Sequence, residues 1–422
     1  MPEDSLDGLA HSRWGAYASA VLRPYLSLDL MAWQTRTWGA DRQFRRQQDK
    51  LDLHAASLNF QLWDEGLPLD GSVGRFALNL GEGRMVGEDW WNNFSRSFDG
   101  GVVHNRTWLG TPLKSAYLDG RAFWTRPVTV EAGDTDDSNA NHSDPDVNLS
   151  GLFTEIHSPS GWMVGPYAIY DSDRDVVLAG EEGSGSRAIA SLGLRWKADP
   201  TSFLEFDGET AYQSGRFGGD DHRAWAVHLS LRLHPQFTEP SWLAEALTYH
   251  GPVLEYDHAS GDRDPADGEH GTFHSPYPSP HNQFGIGDVV GWRNLDHHGV
   301  RWDIPLFFVR GEAEDIPQIH PASRFFGRGA DRIPVLSLEL GYHRYFFAEE
   351  RDAYYDPRGE FVARDLSGNV DREIASEWDA RLLLAAGLVS LGYARFQAGD
   401  FLDETGAGED GSLVYFSIAS DW

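Results

Sequence analysis

Apolar and polar residues alternate with period two through nearly every patterned segment of this chain, and that period is the strongest constraint on its fold. Successive side chains of a strand point to opposite faces, so such a segment carries one oily and one polar face. Ala188, Ala190, Leu192, Leu194 and Trp196 stand opposite Arg187, Ser191, Arg195 and Lys197, with Ile189 the exception. Leu204, Phe206, Thr210 and Tyr212 oppose Glu205, Asp207, Glu209 and Gln213. Trp225, Val227, Leu229, Leu231 and Leu233 oppose His228, Ser230 and Arg232. Leu336, Leu338, Leu340 and Tyr342 oppose Ser337, Glu339 and His343. Phe76, Leu78 and Leu80 opposite Arg75 and Asn79 predict a strand reaching Leu80 with its apolar side outward. The three- and four-residue spacing of amphipathic helices is scarce, so the fold class is all-β.

A soluble sandwich alternates as well, so the choice between sandwich and membrane barrel rests on finer detail. Aromatic residues recur near strand ends, at Trp63, Trp124, Trp196, Tyr212, Trp225, Tyr342 and Tyr393, as girdles at two membrane interfaces do. The faces opposite the apolar ones carry both signs of charge, which suits a crowded polar lumen. The final segment, Leu413 to Trp422, alternates and ends in an aromatic residue. Together these predict a transmembrane antiparallel β-barrel, of which about 16 segments read as strands. The expected organisation is a short tail over 1–14 and a single barrel over 15–422. The apolar stretch Leu382–Ala394 contains Gly387 and Gly392 and falls short of the roughly 20 residues a membrane helix needs. Met1-Pro2-Glu3-Asp4 lacks the basic and apolar regions of a signal peptide, so the expectation is an exported chain in mature form.

The formal charge of -30, from 65 acidic against 35 basic residues, disfavours nucleic acid as a partner. Only Lys50, Lys114 and Lys197 are lysines, and the other basic residues are arginines. Cysteine is absent, which removes disulfides, thiolate metal sites and cysteine nucleophiles. No nucleophile elbow, phosphate loop or dinucleotide fingerprint is present, and the expectation is a protein that is not an enzyme.

Two ordered blocks carry a specific resemblance. One runs Ser260-Gly261-Asp262-Arg263-Asp264-Pro265-Ala266-Asp267-Gly268, then Phe284-Gly285, then Gly291-Trp292-Arg293-Asn294-Leu295. The other runs Gly74-Arg75, Gly81-Glu82-Gly83-Arg84, Glu88-Asp89-Trp90 and Arg96-Ser97-Phe98-Asp99-Gly100. Both resemble the signature of the bacterial alginate-export family of outer-membrane β-barrels, and Arg126-Pro127-Val128 resembles a further motif of it. The resemblance implies about 18 strands, with 16 to 18 the expected range. It also implies an outer-membrane location and passive export of an anionic, alginate-like polysaccharide through an anion-selective, arginine-lined lumen. The expected setting is a monomeric barrel in outer-membrane lipid, with periplasmic export components as further partners. Phe76 stands where the family has Gln and Arg121 where Asp is common, so a porin for another small anion is the alternative. A soluble carbohydrate-active β-protein is a third.

The resemblance places Arg75, Arg84, Arg96, Arg126 and Arg293 as pore-liners, and strand parity adds Arg187, Arg195 and Arg232. Guanidinium groups spread along a wall pass a polyuronate from one to the next, while nearby carboxylates keep each from holding it. The bland alternative is that these arginines pair with strand carboxylates and hold the barrel's shape. The carboxylates Asp262, Asp264, Asp267 and Glu269 lie at a spacing that suits Ca²⁺, although it is not an EF-hand spacing. The alternative there is a turn pinned by aspartates bonding to loop backbone. His250, His258, His270, His274, His281, His297 and His298 crowd the same region without a zinc motif.

Overall fold

The computed structural model describes residues 10–38, 49–62, 68–92, 94–110, 116–129, 141–177, 184–234, 251–281, 283–310, 332–365, 371–385 and 388–418. Its strands are β1 (Ala10–Arg23), β2 (Leu26–Trp38), β3 (Asp49–Gln61), β4 (Leu69–Phe76), β5 (Phe98–Trp108), β6 (Tyr117–Thr129) and β7 (His142–Ser143). Then come β8 (Val147–His157), β9 (Met163–Val177), β10 (Ser184–Thr201), β11 (Leu204–Phe217), β12 (Asp220–Leu233), β13 (Val253–Ala259) and β14 (Glu269–His270). The last are β15 (Leu295–Arg310), β16 (Arg332–Phe346), β17 (Ala353–Tyr355), β18 (Phe361–Arg364), β19 (Glu373–Leu384), β20 (Val389–Ala398) and β21 (Gly411–Ile418). Among the described residues one helix, α1 (Asp400–Thr405), lies between β20 and β21.

Nineteen strands form one sheet, and β17 and β18 make a separate hairpin. Two of the nineteen, β7 and β14, are only two residues long. The others follow one another as an antiparallel meander, so each long strand from β2 to β20 pairs with the long strand before and after it. The chain is therefore an all-β antiparallel barrel of the outer-membrane kind. Strand β1 begins at Ala10, within the segment 1–14 expected to be a tail.

Burial is inverted relative to a soluble protein. Leu192 is 61% exposed and Trp225 50%, while Asp257, His297 and Glu377 are buried at 0%. Apolar residues outside and charged residues inside are the arrangement that lipid around a polar lumen requires. Strand β10 shows the rule: Ile189, Ser191 and Arg195 are buried on it, while Leu192 and Leu194 are exposed. Ile189, the break in the sequence pattern, faces inward with the polar residues.

The wall is not hollow throughout. The described residues of 77–97, between β4 and β5, and of 260–294, between β13 and β15, fold into the lumen and bond to each other. Val86 and Tyr277 form a parallel bridge, Tyr277 N donates to Met85 O at 3.0 Å and Ser279 N to Gly83 O at 2.9 Å. Around them an apolar cluster forms inside the barrel, including Leu78, Leu80, Val86, Phe273, Phe284, Trp292 and Phe401. This corrects the expected strand to Leu80: β4 ends at Phe76, and Phe76, Leu78 and Leu80 are buried in the interior cluster at 8%, 3% and 3%. Period two continues past the strand because the segment turns inward while still extended.

The 77–97 segment also shows that the sheet curls round it. Arg13 of β1 donates to Trp90 O and Asn92 O, Arg121 of β6 to Asn79 O, and Arg84 reaches Asp257 of β13. Trp91 packs edge-on against Tyr415 of β21, with ring centroids 5.0 Å apart. One segment touching the first, middle and last strands requires a sheet wrapped about it.

The two ends differ. Tight turns at 24–25, 158–162 and 202–203 close one end, while long connections, described over 77–92, 94–97, 260–281, 283–294 and 347–365, leave from the other. We call these the turn end and the loop end. Residues 235–250 and 311–331 lie outside the described ones, as does most of the expected Glu131–Val147 loop.

Candidate translocation pathway

The inward segments are pinned to the wall by buried charge. Arg84 Nη1 donates to Asp257 Oδ1 at 2.9 Å and Nη2 to His228 Nε2 at 3.2 Å. That leaves His228 Nδ1–H to donate to Asp257 at 2.7 Å. His297 Nδ1 donates to the other Asp257 oxygen at 2.9 Å, so its Nε2 accepts from His343 Nδ1, also at 2.9 Å. Asp257 thus takes three donors with no exposure, the condition under which a buried carboxylate stays charged. Gly81, at φ 57°, brings the same segment against Arg195, where a Cβ would lie 2.7 Å from the guanidinium carbon.

A second anchor holds 260–294. Arg293 donates to Phe273 O, Gly359 O and His274 Nδ1 at 3.1, 2.6 and 2.7 Å, and it lies over the Tyr355 ring. Because Arg293 only donates, His274 is neutral with its proton on Nε2, and it donates to Asp171 at 3.2 Å. Burial first, and then the Arg187 guanidinium, lower the His274 pKa to about 3. Arg96 donates to the carbonyls of Gly87, Tyr277 and Pro278 at 2.7, 2.9 and 3.0 Å, tying the two inward segments together.

Towards the turn end the inner wall becomes a belt of alternating charge from β10 to β19. Strand register sets Lys197 beside Asp207, Arg195 beside Glu209, Arg232 beside Glu205 and Glu339 between Asp303 and Arg381. Lys197 Nζ lies 3.0 Å from Glu205 and 3.7 Å from Asp207. Arg195 contacts Glu155, with Glu209 at 3.5 Å and Glu82 at 3.7 Å. Arg232 lies 3.8 Å from Glu205 and Arg301 3.1 Å from Glu255, while Arg381 contacts Glu339. Both carboxylate oxygens of Asp303, and one each of Asp207 and Glu255, are buried yet take no protein donor. Fork-shaped cations and the carboxylates that balance them therefore share one wall.

The structure separates the arginines singled out from sequence. Arg187, paired with Asp171 at 2.6 Å, Arg195 and Arg232 face the lumen from the wall. Arg84, Arg96 and Arg293 lie inside it on the inward segments. Arg75 and Arg126 do not face it. Arg75 pairs in register with Ala56 and Asp99, and Asp99 with Arg126, on the face that exposes Val73 and Trp124. The belt residues Lys197, Arg301, Asp303, Glu339 and Arg381 were not singled out, although strand parity alone puts Arg301 and Asp303 on one face.

The Asp262–Glu269 loop is built on backbone bonds. Asp264 N donates to Asp262 Oδ1, Ala266 N to Asp264 Oδ1 and Glu269 N to Asp267 Oδ1, at 3.1, 3.4 and 2.8 Å. Glu269 lies 3.6 Å from Arg223. Among the described residues no three His, Asp or Glu side chains converge on a metal position.

Comparison with known proteins agrees with this architecture. Solved structures similar in fold include Pseudomonas aeruginosa OccD3 (OpdP), at 11% identity and TM-score 0.53, covering 97% of this chain and 85% of that one. Acinetobacter baumannii OccAB1 matches at 11% identity and TM-score 0.50, with 97% and 92% covered. Pseudomonas aeruginosa OpdQ matches at 12% identity and TM-score 0.50, with 96% and 90% covered. No curated protein sequence matches. The profile of the Alginate export family matches residues 29–416, nearly the whole barrel with both inward segments and the belt. The chain therefore belongs to the alginate export family, as an outer-membrane β-barrel channel.

Proposed function

We propose that the channel conducts an anionic, hydroxyl-rich sugar, an alginate-like polyuronate or its oligomers, by passive diffusion along the charged belt. The observation that supports this reading is the pairing across adjacent strands, in which Lys197, Arg195, Arg232, Arg301 and Arg381 each face a carboxylate. A passing carboxylate exchanges with the wall acid at each cation. No cation then holds its load tightly, which conduction requires. Family membership supports the same cargo class.

A second reading, a porin for another small anionic solute, is favoured by the apolar cluster that the inward segments build inside the barrel. Single-channel recording with mannuronate oligomers of increasing length, against neutral oligosaccharides of equal size, separates the readings. Block by mannuronate at concentrations at least about tenfold lower than the neutral sugar, persisting with length, supports the polymer. Block restricted to the monomer supports the small solute, and equal block by charged and neutral sugars removes both.

A further inference from the structure

The outward arginines of the loop end have no part in the lumen, yet they follow a rule. Trp124, Trp225, Tyr342 and Tyr393 stand on the outer face, and two residues nearer the loop end on the same strands stand Arg126, Arg223, Arg344 and Arg395. Three of these have acidic partners: Arg223 with Glu269 at 3.6 Å, Arg344 with Glu373 at 2.9 Å and Arg395 with Asp410 at 3.1 Å. Arg126 differs. It lies over the Trp124 ring at 5.0 Å and, among the described residues, donates only to Asn148 Oδ1 at 3.3 Å.

Beside it the outer wall is recessed. Strand β4 leaves the wall at Phe76, while its neighbour β3 continues towards the loop end past Ala56, the partner of Arg75, as far as Asp49. The recess holds about 850 Å³ and is lined by Leu51, Leu53, Val73, Arg75, Asp99 and Trp124. Arg75 donates to both Asp99 oxygens, at 2.7 and 2.9 Å, so that pair is neutral, and Arg126, the register partner of Asp99 at the edge of the recess, adds a positive charge. In a chain of formal charge -30, a positive site with an oily floor on the lipid-facing wall calls for an anionic lipid.

We propose that this recess binds a phosphate-bearing glycolipid of the outer leaflet, its phosphate at Arg126 and its acyl chains along Leu51, Leu53 and Val73. Outer-membrane barrels keep short turns on the periplasmic side and long loops outside, which puts the loop end and its arginines at the headgroups of the outer leaflet. Guanidinium groups bind phosphate oxygens in pairs, and the surrounding lipid strengthens the contact.

The test is native mass spectrometry of the detergent-solubilised barrel, titrated with bisphosphorylated lipid A and with dephosphorylated lipid A of the same acyl composition. One lipid should bind with affinity about tenfold higher when phosphorylated, the size expected for a charge-assisted contact. Arg126→Gln should remove that preference, Arg126→Lys should keep most of it, and Arg344→Gln should leave it unchanged. Equal affinity for the two lipids, an unaltered preference in Arg126→Gln or an equal loss in Arg344→Gln would each overturn the proposal. Heat-modifiable migration on gels verifies that each variant is folded, and channel conductance plays no part in the readout.

Discussion

Asp257 accepts three donors with its side chain wholly buried, so the anchor of the first inward segment is most exposed to damage at Arg84. Arg84→Met keeps the length of the side chain and leaves a buried carboxylate without its cation, a loss of about 3–5 kcal/mol. Urea unfolding in micelles should show it, and a change under about 1 kcal/mol would mean that the histidines alone hold Asp257. The second anchor makes a pH prediction. The folded pKa of His274 lies near 3, below the ordinary 6.5, so the fold resists the proton that the unfolded chain takes up. Stability is intact above pH 6.5, falls as pH drops from about 6.5 towards about 3, and stops falling from this cause below that. In His274→Gln the decline across that window should be shallower than in the parent, and superimposable curves would exclude His274 as its source. Sequence parity finds Arg187, Arg195 and Arg232 because each lies well inside a long regular strand. It misplaces Arg75 because the residues opposite, Phe76, Leu78 and Leu80, are oily on account of an interior cluster and not of lipid.

At the scale of elements, the strands are legible because lipid on one side and charge on the other impose period two on every long one. The inward segments are not. Nothing local distinguishes 77–97 from an external loop, since its tertiary partners, such as Asp257 and Tyr277, lie some 180 residues downstream. The glycines that shape it are visible in sequence, but their purpose is not. Gly81 takes φ 57°, where a β-branched residue is strained by about 1–2 kcal/mol, and it faces the Arg195 guanidinium. Gly81→Val should therefore push the segment away from the belt. The expected outcome is larger or noisier single-channel conductance with the barrel still heat-modifiable, and unaltered conductance would show that the segment does not limit the pathway.

For the molecule as a whole, the hydrophobic effect acts outward while the interior is organised by charge. Much of the core that a soluble protein would hold between two sheets is here an apolar plug within the barrel, and the rest of the interior is paired ions. The outer apolar surface therefore contributes to stability only while lipid covers it, which gives a substitution on it a distinctive signature. Leu194 is 40% exposed on the outward face of β10, between Leu192 and Trp196. In a soluble strand protein an exposed Leu→Arg change alters stability by about 0.5 kcal/mol or less. In a bilayer the same change near the midplane costs about 2–4 kcal/mol, because the guanidinium must be dragged into hydrocarbon or drag water in with it. Leu194→Arg should thus lower the unfolding free energy in phospholipid vesicles by about 2–4 kcal/mol, while Ser191→Arg, on the inward face, tests crowding in the lumen instead. Equilibrium unfolding of the barrel in vesicles measures the first cost directly. A Leu194→Arg barrel as stable as its parent would mean that this face does not meet lipid, and the inside-out reading of the alternating strands would fail with it.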